Sequence, residues 1–275
     1  MNAPLPLEDR RTGLLPAIWL SVLIPGAGHL LVRARGWALF WFLLCQGLLF
    51  GGILLAGASQ LDHGSWVYLG SFKAVFLIIP EMGNFLGTQM AAMLFHSVEM
   101  GGRTPEVLAF RGLGYLMSGA SGILAVFSAA HASGMMVARK APVASGRVQP
   151  GTAALATLIC PGLGHWITGR RFKAFFFGGC ILGLFFLGMF LSDFADFERV
   201  LHPYYWSGQM FLGVVGWVVD LVSGPIRFHE VPTYLDAGLL FTTSAGLFTI
   251  VAALDAYRRA ETDLFADSSE EEERG

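Results

Sequence analysis

The residues best placed for chemistry are two histidines that close matching motifs. These are Pro25-Gly26-Ala27-Gly28-His29 and Pro161-Gly162-Leu163-Gly164-His165, 136 positions apart and each inside an uncharged apolar stretch. Proline removes a backbone donor and its ring obstructs the preceding turn, so Pro25 and Pro161 should break their helices. Gly26, Gly28, Gly162 and Gly164 then permit a sharp turn and a close backbone approach. A break at membrane depth must satisfy its freed carbonyls internally. His29 and His165 stand where they could donate to those carbonyls, and this structural role is the expectation we favour. A proton-carrying or ligand-binding pair is the competing reading.

Four further ionisable residues interrupt apolar sequence: Lys73, Glu81, Asp220 and Asp255. Such groups mark polar cavities when they lie at membrane depth. Asp255 has Arg258 and Arg259 at i+3 and i+4, which suits a local ion pair at a helix end. Asp220 sits among Val218, Val219, Leu221 and Val222 with no local partner in sequence. Lys73 and Glu81 are about two helical turns apart, too far for direct contact along one helix. No P-loop, Gly-x-Ser-x-Gly, His-Glu-x-x-His or dinucleotide fingerprint occurs. We therefore expect no catalytic, cofactor-binding or metal-ligating residues. Cys45, Cys160 and Cys180 have no paired spacing and are expected to be buried free thiols.

The elements that must position these groups are membrane helices. Of 275 residues, 54% are apolar and 14% charged, and mean hydropathy is +0.58. That composition lies outside the soluble globular range. Uncharged stretches cover 12–32, 36–61, 112–138, 148–169, 174–192, 200–219 and 237–254. Each is long enough for roughly 27 Å of helix, comparable with a bilayer core. No small-residue cleavage site follows the first run, so a removed signal peptide is not expected. A net charge of −2 offers no basic surface for nucleic acid.

The correspondence between the halves extends beyond the histidine motifs. Arg35, Ala38 and Phe40 answer Arg171, Ala174 and Phe176 at the same offset. Gly114, Ser118 and Gly122 answer Gly238, Thr242 and Gly246 at an offset of 124, where His131 meets Asp255. Gln89-Met90 offers a weaker match to Gln209-Met210. The small-residue triplets each line one helix face and suit close helix packing. Each is expected to pack against the other across an internal pseudo-twofold axis, with a homodimer seam as the alternative. Positive charges discriminate between topologies. If the first and third segments of each half dip in and return, 13 Lys and Arg fall on one side and four on the other. The positive-inside rule prefers that arrangement, with both termini cytoplasmic.

The run Pro-Gly-x-Gly-His-x-x-x-Gly-Arg from Pro161 resembles the hairpin core of the TM-two type transmembrane domains. That resemblance implies membrane helices joined by a short polar turn, and nothing catalytic. The first copy has Val32-Arg33-Ala34-Arg35 where the Gly-Arg would stand. The closing Asp255-Ala256-Tyr257-x-Arg259-Ala260 resembles the C-terminal signature of a family of uncharacterised bacterial polytopic membrane proteins.

The fold expected is all-α: a polytopic helical membrane protein of two parallel pseudo-symmetric repeats, four membrane segments each. Its parts are a cytoplasmic N-terminal segment (1–11), repeat 1 (12–138), a polar linker (139–151), repeat 2 (152–260) and an acidic disordered tail (261–275). Phe194, Phe197, Tyr204, Tyr205 and Trp206, with Asp193, Asp196 and Glu198, are expected to form an interfacial belt. The function expected is that of a non-enzymatic scaffold, accessory subunit or lipid-interacting component of a bacterial inner membrane. Membrane lipids are the expected partners, beside a second copy or another membrane protein. A small transporter or channel with a site between the repeats is the alternative. An intramembrane enzyme using the two histidines ranks third.

Overall fold

The computed structural model describes residues 13–57, 66–69, 72–75, 80–99, 110–139, 148–199, 201–223 and 232–274. The architecture is helical. Helices α1 (Leu14–Leu23), α2 (Gly28–Leu31) and α3 (Arg35–Ala56) open the first half. An antiparallel pair follows, β1 (Trp66–Leu69) and β2 (Phe72–Val75), with Tyr68 opposite Lys73. A 3-10 turn (Pro80–Asn84) then leads into α4 (Phe85–Glu99) and α5 (Arg111–Arg139). The second half runs through α6 (Pro150–Ile159), α7 (Leu163–Ile167), α8 (Arg171–Leu191), α9 (Pro203–Met210), α10 (Val214–Ser223) and α11 (Leu235–Arg274).

Among the described residues, four helices are long and apolar enough to cross a membrane: α3, α5, α8 and the Leu235–Phe265 part of α11. Their outward faces are strongly apolar. Phe172 is 82% exposed, and Phe175, Phe176 and Phe190 on the same helix are exposed with it. So large an apolar surface is expected where lipid replaces water. α1, α6 and α10 have ten residues each, about 15 Å of helix and half a bilayer core.

Packing within each half follows one pattern. Gly52 on α3 lies against Gly114 and Ser118 on α5, so these two helices run antiparallel. Gly188 on α8 lies against Gly238 and Thr242 on α11 in the same way. The small-residue triplets therefore do not face each other; each packs inside its own half. The reason is that α3 and α8 carry small residues of their own, Gly52 and Ala56, and Gly188 and Ser192, at matching height. Farther along, Gly122 meets Pro80 and Glu81, and Gly246 meets Gly208 and Gln209. The halves join where Gly134 of α5 meets Gly151 of α6.

The Pro-Gly turns recur with the same partners. The Gly28 N–H donates to Ser21 Oγ at 3.2 Å, and the Gly164 N–H donates to Thr157 Oγ1 at 3.1 Å. A Cβ on Gly26 would overlap the Ala38 carbonyl, and one on Gly162 would overlap that of Ala174. Both glycines also hold φ near +85°. Gly26 donates as well to Ser128 Oγ at 2.9 Å, and Ser128 lies about 16 Å along α5 from Arg139.

Three parts of the domain plan need correction. The segment around Lys73 is a β-strand rather than a broken helix, and its β-branched and aromatic neighbours Val67, Tyr68 and Val75 suit one. Residues 261–274 continue α11 instead of forming a disordered tail. Leu264 and Phe265 bury against Val137 and Leu14, and Asp263 holds Arg170 at 2.7 Å, so tertiary contacts carry the helix past Glu261. The linker begins late, since α5 runs to Arg139; residues 1–11 and 140–147 lie outside the described residues. Of the three thiols, Cys45 is buried, Cys160 half-buried and Cys180 exposed, and all are free.

Two substitutions test this packing. Gly122→Ala forces a Cβ into the Pro80 carbonyl, whereas the same change at Gly183 meets nothing within 4 Å. Gly122→Ala should lower stability by about 1–3 kcal/mol, and Gly183→Ala should be neutral or slightly stabilising; thermal unfolding in detergent measures both. Arg33 sits at φ +53° where the second half has Gly169 at φ +80°. Arg33→Gly should therefore relieve about 1 kcal/mol of backbone strain, read as a higher Tm.

Candidate functional site

The polar interior is built from helix ends and breaks. The 3-10 turn brings Glu81, fully buried, against Ser118 of α5, whose hydroxyl donates to Glu81 Oε1 at 2.7 Å. Arg199, 5% exposed in the segment between α8 and α9, reaches across from the second half. Its Nη2 donates to Glu81 Oε1 at 2.7 Å and its Nη1 to the Tyr115 carbonyl at 2.9 Å. The guanidinium also lies 4.6 Å from the Trp206 ring centroid and 5.2 Å from that of Tyr115. Trp206 Nε1 donates in turn to Asp220 Oδ1 at 2.7 Å. Ion pair, cation–π contact and indole bond thus join both halves at one end of the bundle. Gln46 and Asn84 bond each other at 2.9 Å on the other flank of the turn.

Glu81 and Asp220 were recognisable in sequence as isolated charges; Arg199 was not. Arg199 stands among Asp196, Glu198 and His202, in the residue mixture of a surface loop. Its destination depends on contacts 84 and 118 residues away. The expected aromatic belt divides accordingly. Phe194, Tyr204 and Tyr205 are exposed, but Phe197 and Trp206 are core residues and Asp196 is fully buried. Lys73 lies on β2, and its side chain falls outside the described residues.

The second half holds a related cluster. Gln209 occupies the place that Glu81 holds in the first half, and Thr242 the place of Ser118. Gln209 Nε2 donates to Thr242 Oγ1 at 2.8 Å and to the Asp196 carbonyl at 3.1 Å. Glu81-Met82, not Gln89-Met90, is therefore the geometric counterpart of Gln209-Met210. Ser192, at the end of α8, hydrogen-bonds Asp196 Oδ1, and the Thr242 hydroxyl also faces this carboxyl. Burial pushes the Asp196 carboxyl above the ordinary carboxylate range, and the hydroxyl contacts oppose that shift.

The two motif histidines are fully buried in separate places. His29 Nε2 lies 3.0 Å from His131 Nδ1, which Trp41 Nε1 also approaches at 3.3 Å. His165 stacks on Phe177 at 5.1 Å, with its Nε2 3.6 Å from Asp255 Oδ2. The aligned residues His131 and Asp255 are thus the respective partners of the two histidines. Hydroxyls of Ser21, Ser128 and Thr157 take up the backbone N–H groups of the two turns. Asp255 pairs with Lys173 of α8 at 2.8 Å, closer than its local partner Arg259 at 3.6 Å.

Residues 152–265 match a family of unknown function, DUF6677. No curated protein and no solved structure matches the chain.

Removing the guanidinium tests the join between halves. Arg199→Met leaves the Glu81 carboxylate buried without its countercharge and should cost about 3–5 kcal/mol. The double variant Glu81→Gln/Arg199→Met should recover most of that loss. Detergent melts of the single and double variants give the comparison; equal melting of Arg199→Met and wild type would rule out a structural join.

Proposed function

We propose that this is an integral protein of a bacterial inner membrane that acts as a non-enzymatic scaffold or accessory component. Its two halves are read as a tandem duplication in parallel orientation, with lipids and a membrane-protein partner or second copy around it. The observation that carries the reading is how the intramembrane charges are used. Glu81 pairs with Arg199, Asp255 with Lys173, and Asp220 accepts from Trp206. His29 and His165 sit in separate enclosed sites rather than on one shared path. Charges committed to one another hold a framework together and cannot also exchange with a substrate at no cost.

Orientation follows from the same framework. Arg35, Arg139, Arg171 and Lys173 collect at one end of the bundle, because the crossing helices alternate in direction. The positive-inside rule makes that end cytoplasmic, with both termini there. On this reading α1–α2 and α6–α7 are re-entrant pieces that enter and leave on the cytoplasmic side.

Single-cysteine labelling in a cysteine-free background tests the topology, with probes at Ala34, Ser59, Ser145 and Ser268. Ala34, Ser145 and Ser268 should label from the cytoplasm and Ser59 from outside; external labelling at Ala34 would overturn the re-entrant reading. Reconstituted vesicles test the activity. Proton or ion flux should equal that of protein-free vesicles. Flux well above that level, abolished by Glu81→Gln, would instead establish the transporter alternative, which the interrupted helices in both halves favour.

A further inference from the structure

The cluster around Asp196 differs from its counterpart in one respect that matters chemically. In the first half, the buried Glu81 carboxylate has a guanidinium against it. In the second half, Asp196 is just as buried, yet among the described residues no ammonium or guanidinium lies within ion-pair distance. Arg199, three residues on, is turned to Glu81 and to the Tyr115 carbonyl. Asp196 Oδ2 has no hydrogen-bond partner among the described residues.

A second unpartnered atom belongs to the same cluster. The Asp196 backbone carbonyl can only accept, so the Gln209 amide nitrogen must face it, as the 3.1 Å contact requires. That assignment turns Gln209 Oε1 away, and this oxygen too has no partner among the described residues. Gln209 is fully buried. Two buried acceptors, Asp196 Oδ2 and Gln209 Oε1, are therefore left without a partner among the described residues. The Ser192 hydroxyl is shared with the Gly188 and Met189 carbonyls at 3.1 Å each. Thr242 Oγ1 already gives its proton toward the Gly238 or Leu239 carbonyl, at 3.0 and 3.2 Å. Its oxygen accepts from Gln209, and its hydroxyl also faces the Asp196 carboxyl.

We propose that Asp196, Gln209, Thr242 and Ser192 form a binding site for a single sodium ion between the end of α8 and α11. The donor set consists of oxygen alone, which selects a hard cation over zinc or copper. One carboxylate balances one positive charge, which selects a monovalent ion over calcium or magnesium. The C-terminal end of α8 adds the negative end of its helix dipole beside Ser192. The ion would do for the second half what the Arg199 guanidinium does for the first.

Purified full-length protein in detergent tests the site directly. Radiolabelled sodium should bind saturably at about one ion per chain. Unlabelled sodium should displace it and choline should not. At constant ionic strength, Tm should rise by several degrees and saturate as sodium replaces choline, because a ligand that binds only the folded state stabilises it. Asp196→Asn keeps the shape, removes the charge, and should abolish both responses. If that variant does not fold, Gln209→Met decides: it should weaken sodium binding at least tenfold. Wild-type protein that binds no labelled sodium and melts identically in sodium and choline would overturn the proposal. So would sodium binding that Asp196→Asn and Gln209→Met leave unchanged.

Discussion

A helix interrupted inside an apolar medium must find partners for its freed peptide groups within the protein, and the fold depends on how this one does so. The solution is short hydroxyl side chains: Ser21 for Gly28 and Thr157 for Gly164, each two turns back, and Ser128 of α5 for Gly26. Such bonds need the two chain segments nearly in contact. That explains why the turn residues are glycines and why Ala17, Ala38, Ala153 and Ala174 face them. Larger residues at either side would separate the backbones and leave the N–H groups unpaired. The break, the small residues and the hydroxyls are one device, and neither half uses one without the others.

Once two helices approach this closely, there is no room between them for bulky polar groups. Charged side chains are pushed to the ends and breaks of helices, where the backbone turns aside. Glu81 on a 3-10 turn, and Arg199 and Asp196 after the end of α8, follow this rule. Their concentration at one end makes mutual pairing feasible, and mutual pairing lets so many polar groups stay buried. Trp206 belongs to this arrangement because its ring face meets Arg199 while its N–H serves Asp220.

The sequence disclosed what depends on local pattern and missed what depends on distant contact. The four long helices, the breaks at Pro25 and Pro161 and the packing role of the glycine triplets rest on periodicity and residue type, which are local. Which triplet meets which helix is not legible locally, because small residues permit close packing without naming a partner. Glu81 and Asp220 stood out as charges in apolar surroundings, but Arg199 and Asp196 were hidden in a stretch that reads as an interfacial loop. The helical course of residues 261–274 is hidden for a similar reason: its acidic composition is visible locally, whereas Leu264 packs against Val137 from a distant part of the chain.

Comparing the halves separates what packing demands from what chemistry has varied. The glycines, the Ser21 and Thr157 hydroxyls of the turns and the crossing geometry are held in common, since losing any one of them leaves a peptide group unpaired. The groups enclosed by that frame differ. A histidine faces His131 in one half and Asp255 in the other; a glutamate occupies one break and a glutamine the other. Arg199 makes the two sets interdependent. It leaves its own half without a cation beside Asp196 and supplies one to the Glu81 of the other, so neither half balances its charges alone. A frame free to diverge in this way can acquire a charge in one half only when the other half, or a bound ion, neutralises it.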